Sequence, residues 1–129
     1  MPSISVTPVE GSISENVASN FGAKNIVSTA LNGLSNGAST TALAYDNPAG
    51  VSACDVIISL APIDMVSSGT IRIDDGTNYQ ELAVPSGNSG KRCLFLEVDA
   101  SFLANFTIYN GTGVALSSSG NIVTIVPRY

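Results

Sequence analysis

Oxygen-bearing side chains crowd one short stretch of the chain, Asp74-Asp75-Gly76-Thr77-Asn78. Hard cations such as calcium take ligands of this kind. The stretch lacks EF-hand spacing and the closing Glu at the twelfth position, and an Asp-Gly pair also suits a hairpin turn, whose backbone these residues tolerate. A turn is therefore expected here rather than a calcium loop. Glu97 and Asp99 form a second acidic pair near one strand end. Glycosidases set two such carboxylates across the scissile bond, in a cleft walled by rings, but four Tyr, four Phe and no Trp must furnish core and cleft together. The pair reads as surface. Cys54 and Cys93 are the only thiols, and the chain has no histidine. Ser-His-Asp and Cys-His sites are thus excluded, and the commonest general base and metal ligand is missing. Two cysteines also fall short of the four clustered ligands of a structural zinc site. Both lie in apolar, strand-like runs and are expected as buried, inert thiols, with a bridge between neighbouring strands left open. Asn105-Phe106-Thr107 and Asn110-Gly111-Thr112 have sequon form, which carries little meaning in a cytoplasmic chain. Gly111 and Gly113 are too few to cradle a phosphate and fit turns better. The expectation is a protein that is not an enzyme, with no catalytic, cofactor or metal site.

Composition points the same way. At 129 residues and 13.2 kDa the chain fits a single domain. Charged residues are 12% of it and apolar ones 44%, with a mean hydropathy of +0.30, which argues against disorder. So little charge fits a surface covered by further copies or by a partner; a monomer coated in Ser, Thr and Asn is the plainer alternative. Five basic and ten acidic residues give a net charge of −5. The bases Lys24, Arg72, Lys91, Arg92 and Arg128 are scattered, whereas nucleic-acid binding needs clustered positive charge. The apolar run Val56-Ile57-Ile58 is far too short to span a membrane. The first residues, Met1-Pro2-Ser3-Ile4-Ser5-Val6, lack the basic and apolar regions of a signal peptide. Neither nucleic acid nor membrane is expected as a partner, and synthesis in a cytoplasm is.

The elements that must position these residues read as strands. Residues 25–31 are β-rich and stop at Asn32-Gly33, a turn dipeptide. Residues 40–45 form a second strand, ending at Asp46-Asn47-Pro48. The continuous apolar character of residues 53–60 suggests a strand buried on both faces. Residues 70–74 and 79–84 alternate around Asp75-Gly76-Thr77-Asn78 as a hairpin, with Ile71, Ile73, Leu82 and Val84 inward and Arg72 outward. A polar loop at 85–90 leads to a core strand at 92–98, followed by a short turn capped by Asp99. Strands at 105–110 and 121–126 close the chain, with a short extra one at Val114-Ala115-Leu116. Eight or nine strands at this spacing indicate an antiparallel sandwich or barrel. Residues 12–22 offer one helical pattern, Ile13, Val17 and Phe21, with capping-box spacing at Ser12 and Glu15. Asn16, Ser19 and Asn20 oppose it, so residues 1–23 are read as an extended arm before a sandwich domain spanning 24–129.

Residues 24–129 resemble small structural proteins encoded among the head genes of tailed bacteriophages. The resemblance rests on Val27-Ser28-Thr29-Ala30-Leu31, Ala44-Tyr45-Asp46-Asn47 and Asp55-Val56-Ile57-Ile58-Ser59-Leu60. It continues in Gly69-Thr70-Ile71-Arg72-Ile73 with Asp75-Gly76-Thr77-Asn78-Tyr79. The most distinctive stretch is Phe106-Thr107-Ile108-Tyr109-Asn110-Gly111-Thr112-Gly113-Val114-Ala115-Leu116, closing with Gly120-Asn121-Ile122-Val123-Thr124-Ile125-Val126-Pro127. The chain departs from such proteins in being short between Leu60 and Tyr79. What the resemblance implies is an all-β, antiparallel β-sandwich, jelly-roll-like in some members, that decorates or cements the capsid of a virion by binding its major capsid protein.

A trimer suits that setting, since threefold axes are natural sockets on a shell. In the N-terminal arm, Ile4, Val6 and Val9 alternate with polar residues between and beside Pro2 and Pro8, a pattern fit for addition to a sheet edge; an ordinary first strand is the alternative. Rival readings are a head fibre, neck or tail component on the same fold, or a carbohydrate-binding module, against which the missing Trp counts.

Overall fold

The computed structural model describes residues 24–27, 30–87 and 90–128. Among them seven strands occur: β1 Lys24–Val27, β2 Ala53–Leu60, β3 Gly69–Asp74, β4 Tyr79–Val84, β5 Arg92–Asp99, β6 Thr107–Gly111 and β7 Ile122–Arg128, with a 3-10 turn at Ala100–Ala104. They build two sheets, ordered β1-β7-β2-β5 and β4-β3-β6, and every pairing is antiparallel. The expected all-β sandwich is what the chain forms. The expected arm at 1–23 and the helical pattern at 12–22 lie outside the described residues.

An eighth extended segment completes the second sheet. Gly37, Thr40, Leu43 and Tyr45 donate their amides to the carbonyls of Asn110, Ile108, Phe106 and Leu103, along the free edge of β6. The pairings then nest inside one another: β1 with β7, residues 37–45 with β6, β2 with β5, and β3 with β4. A chain paired in this way is one long antiparallel hairpin rolled into two facing sheets, which is the jelly-roll arrangement. The strand expected at 40–45 is therefore present in position but irregular in form. Ser39 pairs with Tyr109 and Leu43 with Phe106, so four steps on one side face three on the other, as in a bulge. Within it the Thr40 hydroxyl, not a carbonyl, accepts the Ile108 amide at 3.0 Å.

Alternation decides which face each strand buries, since successive side chains point to opposite sides. Cys54, Val56, Ile58 and Leu60 of β2, with Val123 and Ile125 of β7, meet Ile71, Ile73, Val84 and Ile108 of the other sheet, and Phe106, Leu103, Leu31 and Met65 close the ends. Full burial of each such side chain contributes roughly 1.5–3 kcal/mol. The sequence expectations need five corrections here. β2 buries one face only; its other face, including Ile57, is half-covered, and among the described residues no further layer packs outside that sheet. β5, expected as a core strand, does bury Leu94 and Val98, but it is the terminal strand of its sheet and its alternate residues are exposed. The first strand is described over Lys24–Val27, and Ala30 and Leu31 lie in a turn rather than at its end. Residues 114–116 form no strand, their backbone being taken up by the loop at Leu34, whose carbonyl accepts the Leu116 amide. Asp99 precedes the 3-10 turn but its side chain makes no capping bond.

Long coil joins these strands, and buried polar side chains fasten it. Asn110 is 0% exposed. Its Nδ2 donates to the carbonyls of Leu34 (2.9 Å) and Val114 (2.8 Å), and its Oδ1 accepts from the Thr112 amide (3.0 Å) and hydroxyl (2.6 Å). An amide side chain offers two donors and one doubly accepting oxygen, so every valence is used. Asn121, also 0% exposed, accepts the Ala61 amide and donates to Asn32 Oδ1 and the Ser117 carbonyl. Arg92 is 7% exposed and turns its guanidinium inward, donating to the carbonyls of Pro85, Ile63 and Gly87 at 2.8–3.0 Å. That charge is held by carbonyl dipoles and gathers the loops on either side of the β3–β4 hairpin. Gly111 is a packing glycine rather than the turn glycine expected, for a Cβ there would lie 2.7 Å from Thr70 Oγ1.

Asn110→Ala is expected to destabilise the domain by about 2–4 kcal/mol, since it leaves buried donors and acceptors unpaired. Asn36→Ala, removing an exposed acceptor for the Gly113 amide, is expected to cost under about 1 kcal/mol. Urea titration of both variants checks the contrast.

Candidate interaction surfaces

The oxygen-rich stretch forms the turn between β3 and β4. Asp74 Oδ1 accepts the Gly76 amide at 2.7 Å, and Asp75 Oδ1 accepts those of Thr77 (2.9 Å) and Asn78 (2.7 Å). Gly76, at φ +94°, takes the left-handed conformation the turn needs. The amides of Asn78 and then Thr77 hold the Asp75 carboxyl below its ordinary range, because they stabilise its charged form. Both carboxylates are thus engaged with backbone inside their own turn.

The turn borders a cleft of about 420 Å³ lined by Asp75, Asn78, Gln80, Glu97, Asp99, Ser101 and Phe102, among others. Glu97 and Asp99 do share a strand end, as the sequence suggested, and both are exposed. Among the described residues no three His, Cys, Asp or Glu side chains gather as a metal-holding group.

The two cysteines part company. Cys54 is buried, and its thiol donates to Asn47 Oδ1 at 3.1 Å while Asn47 Nδ2 donates to the Ala100 carbonyl at 2.8 Å. Burial, aided by the neighbouring Asp55 charge, pushes this thiol above its usual pKa. Cys93 is exposed, contrary to the expectation of two buried thiols, because β5 alternates at a sheet edge and Cys93 falls on its outward side. No bridge joins them. Cys54 stands opposite Val98 and Cys93 opposite Ser59, on opposite faces and roughly 16 Å apart along the strands at about 3.3 Å per residue.

Each sheet also presents an outer face. On the four-stranded sheet, Phe95 is 57% exposed, and in register with Ile57. At one end of this face Arg128 bonds Asp55 at 2.9 Å and approaches Glu97 at 3.6 Å. On the three-stranded sheet, Arg72 lies between two tyrosines, its guanidinium carbon 4.9 Å from the Tyr79 ring centre and 4.6 Å from that of Tyr109. Sequence placed Arg72 outward correctly but missed this stack. Tyr109 reaches Arg72 only through the β3–β6 pairing, between strands with two others intervening in the chain. Ile4, Val6 and Val9, the interaction residues expected from sequence, lie outside the described residues. No family model, curated protein or solved structure matches the chain.

Two outcomes follow from this geometry. A thiol reagent applied to the native protein is expected to label Cys93 rapidly and Cys54 only on unfolding; equal labelling would contradict the strand register. The folded pKa of Asp75 is lowered, so its contribution to the turn is complete above the ordinary carboxylate pKa and is lost as pH falls through the depressed value. An NMR pH titration is expected to show the Thr77 and Asn78 amides moving together with the Asp75 carboxyl, below the ordinary carboxylate range.

Proposed function

We propose that this chain is a structural protein of a bacteriophage virion, made in the host cytoplasm, that binds the assembled shell as a trimer and decorates or cements the capsid. It is not an enzyme in this reading, and its partners are the major capsid protein and its own copies. The observation that carries the reading is the nested jelly-roll pairing, an architecture recurrent among viral capsid domains, built here on a chain with 12% charged residues. Exposed aromatic groups on both outer faces, Phe95 on one and Tyr79 on the other, support a surface made for contact, since aromatic residues concentrate at interfaces. A fold supports a function by analogy only, and the resemblance of residues 24–129 to phage head proteins adds to it. Ile4, Val6 and Val9 are the proposed anchors. In an extended arm they offer backbone groups to a sheet edge and apolar side chains to its pockets.

The test removes residues 1–10. Thermal unfolding of the isolated domain is expected to change little, light scattering of the full chain is expected to give three times the 13.2 kDa chain mass, and binding to shells assembled without the protein is expected to be lost on truncation. Normal shell binding by the truncated chain would overturn the arm's role. A truncated chain that melts far lower would make the segment an internal strand instead. Binding to heads, to necks or to tails separates decoration from the other virion positions.

A further inference from the structure

The outer face of the β4-β3-β6 sheet carries, among the described residues, a positive charge with no acidic partner. Arg72 sits at the centre of β3, in register with Glu81 of β4 on one side and Tyr109 of β6 on the other. Its guanidinium lies between the Tyr79 and Tyr109 rings. Among the described residues it makes no ion pair, and its Nε is buried without a hydrogen-bond partner. Tyr79, the outer member of the stack, is 56% exposed. With Nε buried, the two rings leave the terminal Nη groups of the guanidinium for a partner, and these match a carboxylate with two parallel bonds. The rings also remove most of the side-chain entropy that an Arg ordinarily gives up on binding.

We propose that the Tyr79–Arg72–Tyr109 stack is the anchor of a protein–protein contact, and that the group it takes is an Asp or Glu carboxylate on an extended segment of the partner protein. Three observations choose this occupant. Arg and Tyr are the residue types that dominate the energetics of protein interfaces. The anchor lies on an open sheet face, whereas small-molecule sites are concave. The charge is a single fixed cation on a chain of net −5, with Glu81 and Asp74 on the same face; this suits one carboxylate and repels a polyanion. The proposal does not depend on the virion reading or on residues 1–23.

The probe is a short capped Glu/Val peptide with one central Glu flanked by Val, with its Gln/Val counterpart as control, added to the full-length protein and followed by NMR. The Glu/Val peptide is expected to shift the Arg72 Nε–H and the ring signals of Tyr79 and Tyr109 in a saturable way, and the Gln/Val peptide to leave them in place. Arg72→Lys and Tyr79→Ala are each expected to weaken binding at least about fivefold, with the Ile71 and Ile73 amide signals unmoved as the sign that the sheet is intact. Unchanged binding by Arg72→Lys would overturn the proposal, as would shifts confined to other surfaces. If glucuronate or inorganic phosphate, added alone, moved the same signals as strongly as the peptide, the site would be a general anion site and the protein-carboxylate assignment would fail.

Discussion

One constraint governs this structure: the second arm of a rolled hairpin must stay pressed against β6 although it forms no regular ladder there. Residues 37–45 supply four amides to β6 and the turn before it, but a one-residue irregularity breaks their register. What holds them is a set of buried side chains. Thr40 replaces a missing carbonyl, and Asn110 draws the preceding loop in by its Leu34 carbonyl. Without that segment β6 would be an open edge and the three-stranded sheet would lose its cover on that side. The polar core is costly only if left unsatisfied; in Asn110 each valence is matched, and in Asn121 both donors and the oxygen find partners, so the networks specify one arrangement of the coil.

The same constraint explains where contact surfaces are left. With one edge of the three-stranded sheet occupied by residues 37–45 and the inner faces packed together, the described residues leave the outer faces and the terminal strands β1, β4 and β5. Those are the places where Phe95, Cys93, Tyr79 and Arg72 appear. Arg92 and Arg72 illustrate how position decides the use of a charge. Both are near the middle of the sandwich in sequence and both alternate with apolar residues. One faces inward, where three carbonyls take up its donors. The other faces outward between two rings, with its donors unspent.

Much of the fold was legible from residue order alone. The β3–β4 hairpin announces itself because Ile71 and Ile73 alternate with polar neighbours and Asp75-Gly76 can only turn. β2 was found at its true limits, yet its burial on both faces was misread, because apolar Ile57 and Val56 look alike in sequence while only one faces the other sheet. The exposed side of β5, read as a core strand, was missed for the same reason. Whether a strand is an edge depends on sheet order, and sheet order here pairs β2 with β7 across most of the chain. Asn110 was legible only as part of a sequon. Its partner Leu34 is 76 residues away, a contact no local pattern encodes. The Arg72 stack was hidden likewise, since Tyr109 arrives from a strand that closes the sheet last.

Native-state hydrogen exchange tests most directly the claim that the coil is locked into the roll by its side chains. Amides of Gly37, Thr40, Leu43 and Tyr45 are expected to open with the same free energy as those of Ile58 and Val123 in the sheet, as one cooperative unit. Exchange of those four amides by local opening, while β2 and β7 stay protected, would contradict the account and reduce residues 37–45 to a loop lying against a seven-stranded sandwich.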